Sequence, residues 1–133
     1  MSRSAIYAVN TTTGTSLAAG ATYVPSTVIR RFGQNAILAG NGILLRGEGY
    51  YSIDATVTVN AAAASEVTLA LYQDGQPIQG ATATAVAAAI GDQISVPLTA
   101  MVKLNCNCME SVITVVAVTA ATTNNLAIRV VKE

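Results

Sequence analysis

The residues best suited to specific chemistry are two cysteines separated by one position, Cys106 and Cys108. If this segment is a strand, both thiols face the same side; in a loop, they could ligate a soft metal together. Two thiolates cannot complete a tetrahedral zinc site within one chain, so such a site needs cysteines from several copies. Three interpretations stay open: reduced, half-buried thiols made in a reducing compartment, a disulfide between subunits, and a metal held by three copies around an axis. We favour the first.

The chain has no histidine, and its seven carboxylates are scattered. The lack of histidine removes the commonest general base, the Ser-His-Asp triad and most zinc sites. Asp74 and Asp92 lie in turn contexts, and Glu48 and Glu66 flank expected strands. We therefore do not expect two of these carboxylates to face each other across a cleft, as a glycosidase requires. The sequence predicts no enzyme, and we assign no catalytic, metal-binding or cofactor-binding residue and no cofactor.

Two pairs of adjacent residues could contribute to binding. Arg30 and Arg31 could contact an acidic surface, but neighbours on a strand point to opposite faces, so we expect one to be buried in an ion pair and the other exposed. Tyr50 and Tyr51 are expected to be a core and interface pair, and the alternative is a platform on which a sugar stacks.

Composition restricts the partners of the chain. Of its 133 residues, 52% are hydrophobic and only 11% are charged, against about 25% charged in a typical soluble domain. This shortage of charge suggests that partners cover part of the surface. The formal net charge is zero and the basic residues are scattered, which argues against binding to nucleic acid. No apolar run is long enough to predict membrane insertion, and no secretory signal is visible, which predicts synthesis in a cytoplasm.

The elements that would position these residues are β-strands, and the segment from Gly49 to Ile78 shows this best. Apolar and polar residues alternate with a period of two, which is typical of half-buried strands. The residues expected to point inward are Tyr51, Ile53, Ala55, Val57, Val59, Val67, Leu69 and Leu71. Asp74-Gly75 then predicts a tight hairpin turn, because both residue types tolerate positive φ. Gly40-Asn41-Gly42 and Gly47-Glu48-Gly49 are interpreted as turns, since neither leads from a strand into a helix as a phosphate loop does.

The same patterns place strands along most of the chain. Further strands are expected at residues 5–10, 25–32, 36–39, 43–45, 76–84, 94–104, 111–119 and 126–133, with a loop at 11–21. Residues 81–90 are ambiguous; we favour an irregular or strand segment over a short helix. Pro97 is expected at a bulge. These eight to ten close-spaced strands predict an all-β chain, an antiparallel β-sandwich of the jelly-roll type.

The strand at residues 111–119 carries apolar residues on both faces. Such a strand must be covered on both sides. We expect one cover to be the core of the sandwich and the other to be a neighbouring subunit.

Four segments, taken in order, carry a resemblance to a known family: residues 49–53, 69–78, 91–94 and 125–131. The first segment begins a long strand with Gly-Tyr, and the second is an apolar strand that ends in a hairpin turn of a polar residue and glycine. The third is a strand that begins after Gly-Asp, and the fourth is the final strand. This order resembles the trimeric jelly-roll family of tumour necrosis factor and complement globular heads, of the bacterial or bacteriophage type, such as the heads of collagen-like spore-surface proteins. The resemblance covers residues 25–133, the expected jelly-roll domain; residues 1–24 are expected to form an N-terminal strand, arm and loop of the same single-domain unit.

The resemblance implies a homotrimer whose subunits pack their sheets around a threefold axis. The chain lacks a Gly-X-Y stalk, the acidic cluster of calcium-binding heads and the many aromatic residues of cytokine cores. We therefore expect a structural, non-enzymatic homotrimer that decorates or stabilises a larger particle. A bacteriophage capsid decoration or head-fibre protein is the favoured form, made in the bacterial host cytoplasm, placed on the virion surface and bound to capsid or other particle proteins. The alternative is a receptor-binding or adhesin head that recognises cell-surface glycans.

Overall fold

The computed structural model describes residues 4–12, 14–40, 42–60, 66–86, 93–105 and 110–132. These residues form twelve β-strands and no helix. In chain order the strands are β1 (Ala5–Asn10), β2 (Thr15–Leu17), β3 (Thr22–Tyr23), β4 (Thr27–Phe32), β5 (Ala36–Ala39), β6 (Gly42–Arg46), β7 (Gly49–Asn60), β8 (Glu66–Gln73), β9 (Gln76–Val86), β10 (Gln93–Leu104), β11 (Glu110–Ala117) and β12 (Ala121–Lys132). The predicted all-β class is confirmed.

The strands make two antiparallel sheets that enclose one core. Sheet A has the order β10-β7-β12-β1-β4, with β2 beside one end of β12. Sheet B has the order β5-β6-β11-β8-β9, with β3 beside one end of β11. Strands distant in the chain are therefore neighbours in each sheet, as in the predicted jelly-roll sandwich.

The core forms where the period-two pattern points inward from both sheets. All of the inward residues predicted in β7 and β8 are buried, and Tyr51, Val57, Leu69 and Leu71 are completely inaccessible to solvent. β12 contributes in the same way, with Leu126, Ile128 and Val130 buried. The sequence alone therefore predicts which face of these strands is buried, because alternation places apolar side chains on only one face of each strand.

The hairpin between β8 and β9 turns at Asp74-Gly75, as predicted. Asp74 has φ of 53° and Gly75 has φ of 82°. Two successive residues with positive φ match the twist of the flanking strands, which is why Asp-Gly is favoured in such hairpins. The turn is also fixed to β11, because the Asp74 amide donates to the carbonyl of Val112 and an Asp74 carboxylate oxygen accepts from the Val112 amide.

The short strands were the least accurately predicted part. The structure has twelve strands where eight to ten were expected, and the expected loop at residues 11–21 contains β2. β2 is held by backbone pairing with β12, with Leu17 opposite Ala121. Such a strand depends on a distant partner and leaves little trace in its own three residues.

Two further expectations concern the edge strands β9 and β10. The first part of the ambiguous segment, residues 81–86, continues β9 as a strand, while residues 87–90 lie outside the described residues. The bulge expected at Pro97 was wrong: β10 pairs with β7 in unbroken register, with Pro97 opposite Thr56. Since β10 is an edge strand, proline can keep its missing N–H on the unpaired side without disturbing the ladder.

The doubly apolar strand β11 receives part of its outer cover from its own chain. On the core face, Ile113 and Val115 are buried. On the outer face, Val116 is only 7% exposed and lies between Thr22 of β3 and Ala70 of β8. At this end of β11, flanking strands therefore shield the apolar residue that was expected to require a neighbouring subunit.

Candidate functional site

The described carboxylates do not gather into a reactive group. No cluster of three or more histidine, cysteine, aspartate or glutamate side chains occurs among the residues that the structure describes. Asp54 lies on sheet A, whereas Asp74, Glu66 and Glu110 belong to sheet B. Asp92, Glu133 and both cysteines lie outside the described residues, so the three interpretations of the Cys106–Cys108 pair stay predictions.

The outer face of sheet A, the side turned away from the core, carries an ion pair at its centre. Arg129 of β12 donates from Nη2 to Oδ2 of Asp54 on β7 at 2.8 Å. Their side chains are 62% and 48% exposed, so this pair contributes at most about 1 kcal/mol while the face is open to water. The pair is a structural contact between β7 and β12.

An apolar row crosses the same face from one edge of sheet A to the other. We define the apolar row as Met101, Ser52, Val131, Ala5 and Phe32, which lie opposite one another across β10, β7, β12, β1 and β4; Ser52 is its one polar member. Four strand spacings make the row about 19 Å long. The two end residues are the most open: Met101 is 61% exposed and Phe32 is 60% exposed.

Each end of the apolar row is widened by a tyrosine. Tyr50 lies on the same face of β7 and is 49% exposed, and Tyr7 on β1 is 39% exposed. The ammonium group of Lys103 lies 5.3 Å from the centre of the Tyr50 ring, a cation–π arrangement that occupies one side of the ring. The outer face of sheet A thus combines exposed aromatic and sulfur-containing side chains with the charged groups of Lys103, Asp54 and Arg129.

Tyr51 confirms the core half of the prediction for the tyrosine pair. Its single hydroxyl proton is shared between the carbonyl oxygens of Arg46 and Gly47, each 2.8 Å from the hydroxyl oxygen. Burial raises the pKa of Tyr51 above its usual value, and a hydrogen bond with Asn35 opposes this in part. Tyr51 therefore closes one end of the core and fixes the loop that leads from β6 into β7.

The expectation for the two adjacent arginines was wrong. Arg30 and Arg31 are both exposed, and neither forms an ion pair with a described residue. The reason is the position of β4, which is the edge strand of sheet A and is exposed along its full length. A strand with no second sheet packed against it has no buried face, so alternation cannot bury one arginine of the pair.

A small apolar slot lies beside Arg30 on this edge. It has a volume of about 110 Å³, and its lining includes Tyr7, Phe32 and Arg129. This volume is below the range of small-molecule sites, which usually begins at about 300 Å³. The slot therefore adds to the uneven apolar surface of sheet A and is too small to be a ligand pocket.

A larger concave surface lies on the outer face of sheet B. This groove has a volume of about 780 Å³ and follows β11, with Val112, Thr114 and Val116 on its floor. Tyr72 of β8 lines one side and Thr22 of β3 lines the other. Its size falls within the range of about 300–1,000 Å³ that is usual for small-molecule sites.

No family model matches the chain, and no curated protein matches it. Solved structures do: murine APRIL at pH 5.0 superposes with a TM-score of 0.74 over 99% of this chain and 100% of that chain, at 15% identity. The PRD1 vertex protein P5 gives 0.64 over 98% and 96%, at 14% identity. The globular domain of zebrafish complement 1qA protein gives 0.63 over 97% and 94%, at 9% identity. The chain has the jelly-roll fold of tumour necrosis factor-like and complement-type heads.

Within this tumour necrosis factor-like jelly roll, the sequence indicated Tyr50 as an interface residue. It did not indicate the apolar row on sheet A or the groove on sheet B. The apolar row is built from five strands, so no local pattern displays it. The groove was equally hidden, although Thr114 was a signal: it interrupts an apolar run with a half-buried hydroxyl. Also, no helix among the described residues is long and apolar enough to span a membrane.

Proposed function

We propose that this protein is a non-enzymatic, homotrimeric head that decorates or stabilises a larger particle. The observation that carries the proposal is the apolar row on sheet A with its flanking tyrosines. Aromatic, methionine and arginine side chains, all exposed on this face, are the residue types enriched at protein–protein interfaces. A face of this kind is stabilised when another subunit removes it from water.

Three identical subunits can bury this face by a cyclic arrangement. A contact in which one surface meets a different surface of the next copy closes into a ring when the rotation is right. The low content of charged residues, 11%, supports burial of a substantial part of the surface in the assembly. The jelly-roll fold shared with tumour necrosis factor-like heads supports the number three, as the sequence resemblance implied.

The size of the assembly in solution tests this proposal. Light scattering coupled to size-exclusion chromatography gives the molar mass, which for a trimer is three times the 13.6 kDa of one chain. A mass of one chain at micromolar concentration would refute the homotrimer.

The favoured particle is a bacteriophage capsid, with the protein on the virion surface after synthesis in the bacterial cytoplasm. The likeness to the PRD1 vertex protein P5 supports this choice, because that protein is a vertex component. Capsid or other particle proteins are then the partners. Mass spectrometry of intact, purified virions tests this step, and its failure with the trimer confirmed would reject the particle while retaining the assembly.

A second candidate function is a receptor-binding or adhesin head that recognises cell-surface glycans. The groove on sheet B favours it, because half-buried hydroxyl groups line a concave surface of suitable size. Binding of the purified protein to a glycan array tests this function. Absence of binding to every glycan class would remove it.

A further inference from the structure

The groove on the outer face of sheet B contains hydroxyl groups that the protein itself does not use. Thr22, Thr114 and Tyr72 are each half-buried and line the groove. None of the three hydroxyls has a hydrogen-bond partner within the described part of the chain. Elsewhere on the same sheet a hydroxyl pair is satisfied internally, since Thr68 and Thr84 lie 2.8 Å apart. These hydroxyls are accessible to water, so a ligand that displaces the water can bond to them without breaking a bond within the protein.

A carboxylate is held in a defined position on the same side of the groove as Tyr72. One oxygen of Asp74 accepts from the Val112 amide at 2.9 Å, and the Asp74 amide donates to the Val112 carbonyl. The first bond holds the carboxylate against β11 and the second holds the Asp74 backbone there. Among the residues described, the second carboxylate oxygen accepts no hydrogen bond. A fixed carboxylate oxygen is a strong acceptor for hydroxyl groups.

The groove also has apolar surface beside these polar groups. Val112 and Val116 line it, and Tyr72 lies opposite Thr114 across β8 and β11. A ligand that fits this surface needs an apolar face for the tyrosine ring and hydroxyl groups around its rim. A pyranose ring has both, with C–H groups on its faces and hydroxyls at its edge.

The charge of the surroundings selects among sugars. Asp74 is the one charged residue among the described residues that line the groove, while Glu110 and Arg46 lie opposite each other elsewhere on the same sheet. The carboxylate of Asp74 disfavours an anionic sugar by like-charge repulsion. The groove therefore suits a neutral hexose or hexosamine unit better than an acidic one.

We propose that the groove formed by Tyr72, Asp74, Thr22 and Thr114 is a binding site for a neutral sugar unit of a glycan. The proposal deepens the second candidate function and does not depend on attachment to a particle. Asp74 and the three hydroxyls bond the sugar hydroxyls, and the Tyr72 ring contacts the apolar face of the sugar.

Saturation-transfer difference NMR with the full chain tests the site. The probes are the methyl glycosides of glucose, galactose, mannose and N-acetylglucosamine, each at about 10 mM, because a single sugar in an open groove should bind with a Kd of about 1 mM. We expect a signal from at least one glycoside. Thr114→Val should weaken its binding about fivefold, which is the usual effect of losing one hydrogen bond. Tyr72→Leu should remove most of the signal.

The matched control is Thr82→Val, which removes an exposed hydroxyl from β9 of the same sheet outside the groove and should leave binding unchanged. Two results would overturn the proposal: no signal from any glycoside, or equal binding by the Thr114→Val and Thr82→Val proteins. Groove resonances that shift with protein concentration alone would mean that a second copy occupies the groove, and would also overturn it. Light scattering on the same samples separates the outcomes, since a trimer without sugar binding rejects only this site.

Discussion

Replacing Met101 by alanine should weaken the proposed homotrimer without weakening the fold. Met101 is 61% exposed at one end of the apolar row, so most of its side chain contributes nothing to the core of one subunit. Full burial of a methionine side chain stabilises by about 1.5–3 kcal/mol. Burying the exposed part between subunits is therefore worth about 1–2 kcal/mol per subunit, or about 3–5 kcal/mol per trimer. The dissociation constant of the trimer should rise by about 10²–10⁴-fold.

Analytical ultracentrifugation over a dilution series measures this change directly. The control is Val118→Ala, because Val118 is 42% exposed but follows β11 of sheet B and lies outside the apolar row. The control should dissociate like the unaltered protein, and circular dichroism should show the same strand content for both variants. Equal dissociation of the Met101→Ala and Val118→Ala trimers would refute the assignment of the apolar row to the subunit contact.

Three further predictions follow from contacts within one subunit. Gly42→Ala should cost about 2–3 kcal/mol in urea unfolding, because a Cβ at Gly42 would lie 2.0 Å from the backbone oxygen of Ile113; an unchanged midpoint would contradict the close approach of β6 and β11. Asp54→Asn should leave Arg129 unpaired inside the contact between subunits. The melting temperature of the trimer should therefore fall by more than the loss of an exposed ion pair, which is worth about 0–1 kcal/mol, would produce. Burial raises the pKa of Tyr51 in the folded state, so the protonated phenol stabilises the fold below the usual pKa of 10.0, and this contribution should fall as the pH rises above that value. Urea unfolding between pH 8 and 11 should show this fall in stability, and Tyr51→Phe should make it less steep. An unaltered slope in the Tyr51→Phe protein would contradict the prediction.

The long strands could be predicted because each carries its own evidence. In β7, ten successive residues alternate, and burial follows them one by one from Tyr51 to Val59. The Asp74-Gly75 turn is equally local, since positive φ at both positions is a property of the residues themselves. Where residue type and alternation agree over several positions, a single sequence is enough to predict the strand or turn.

The surfaces could not be predicted, because they depend on which strands become neighbours. Arg30 and Arg31 have a strand pattern, but only the edge position of β4 explains why both are exposed. The groove likewise depends on β3 and β8 flanking β11, although Thr22, Tyr72 and Thr114 are far apart in the chain. Sequence alternation gives the face of a residue, whereas strand order decides what covers that face.

The place of β12 in sheet A has a consequence for how the protein is made. β12 lies between β7 and β1, with Val130 opposite Ile53 on one side and Ile6 on the other. Both of its neighbours leave the ribosome long before it does, so during synthesis they remain separated and their backbone groups lack their final partners. The sheet is therefore completed by its last-made strand, which makes folding a late, long-range event. Until then, the nascent chain exposes unpaired strand edges, and chaperones or rapid assembly would protect it at that stage.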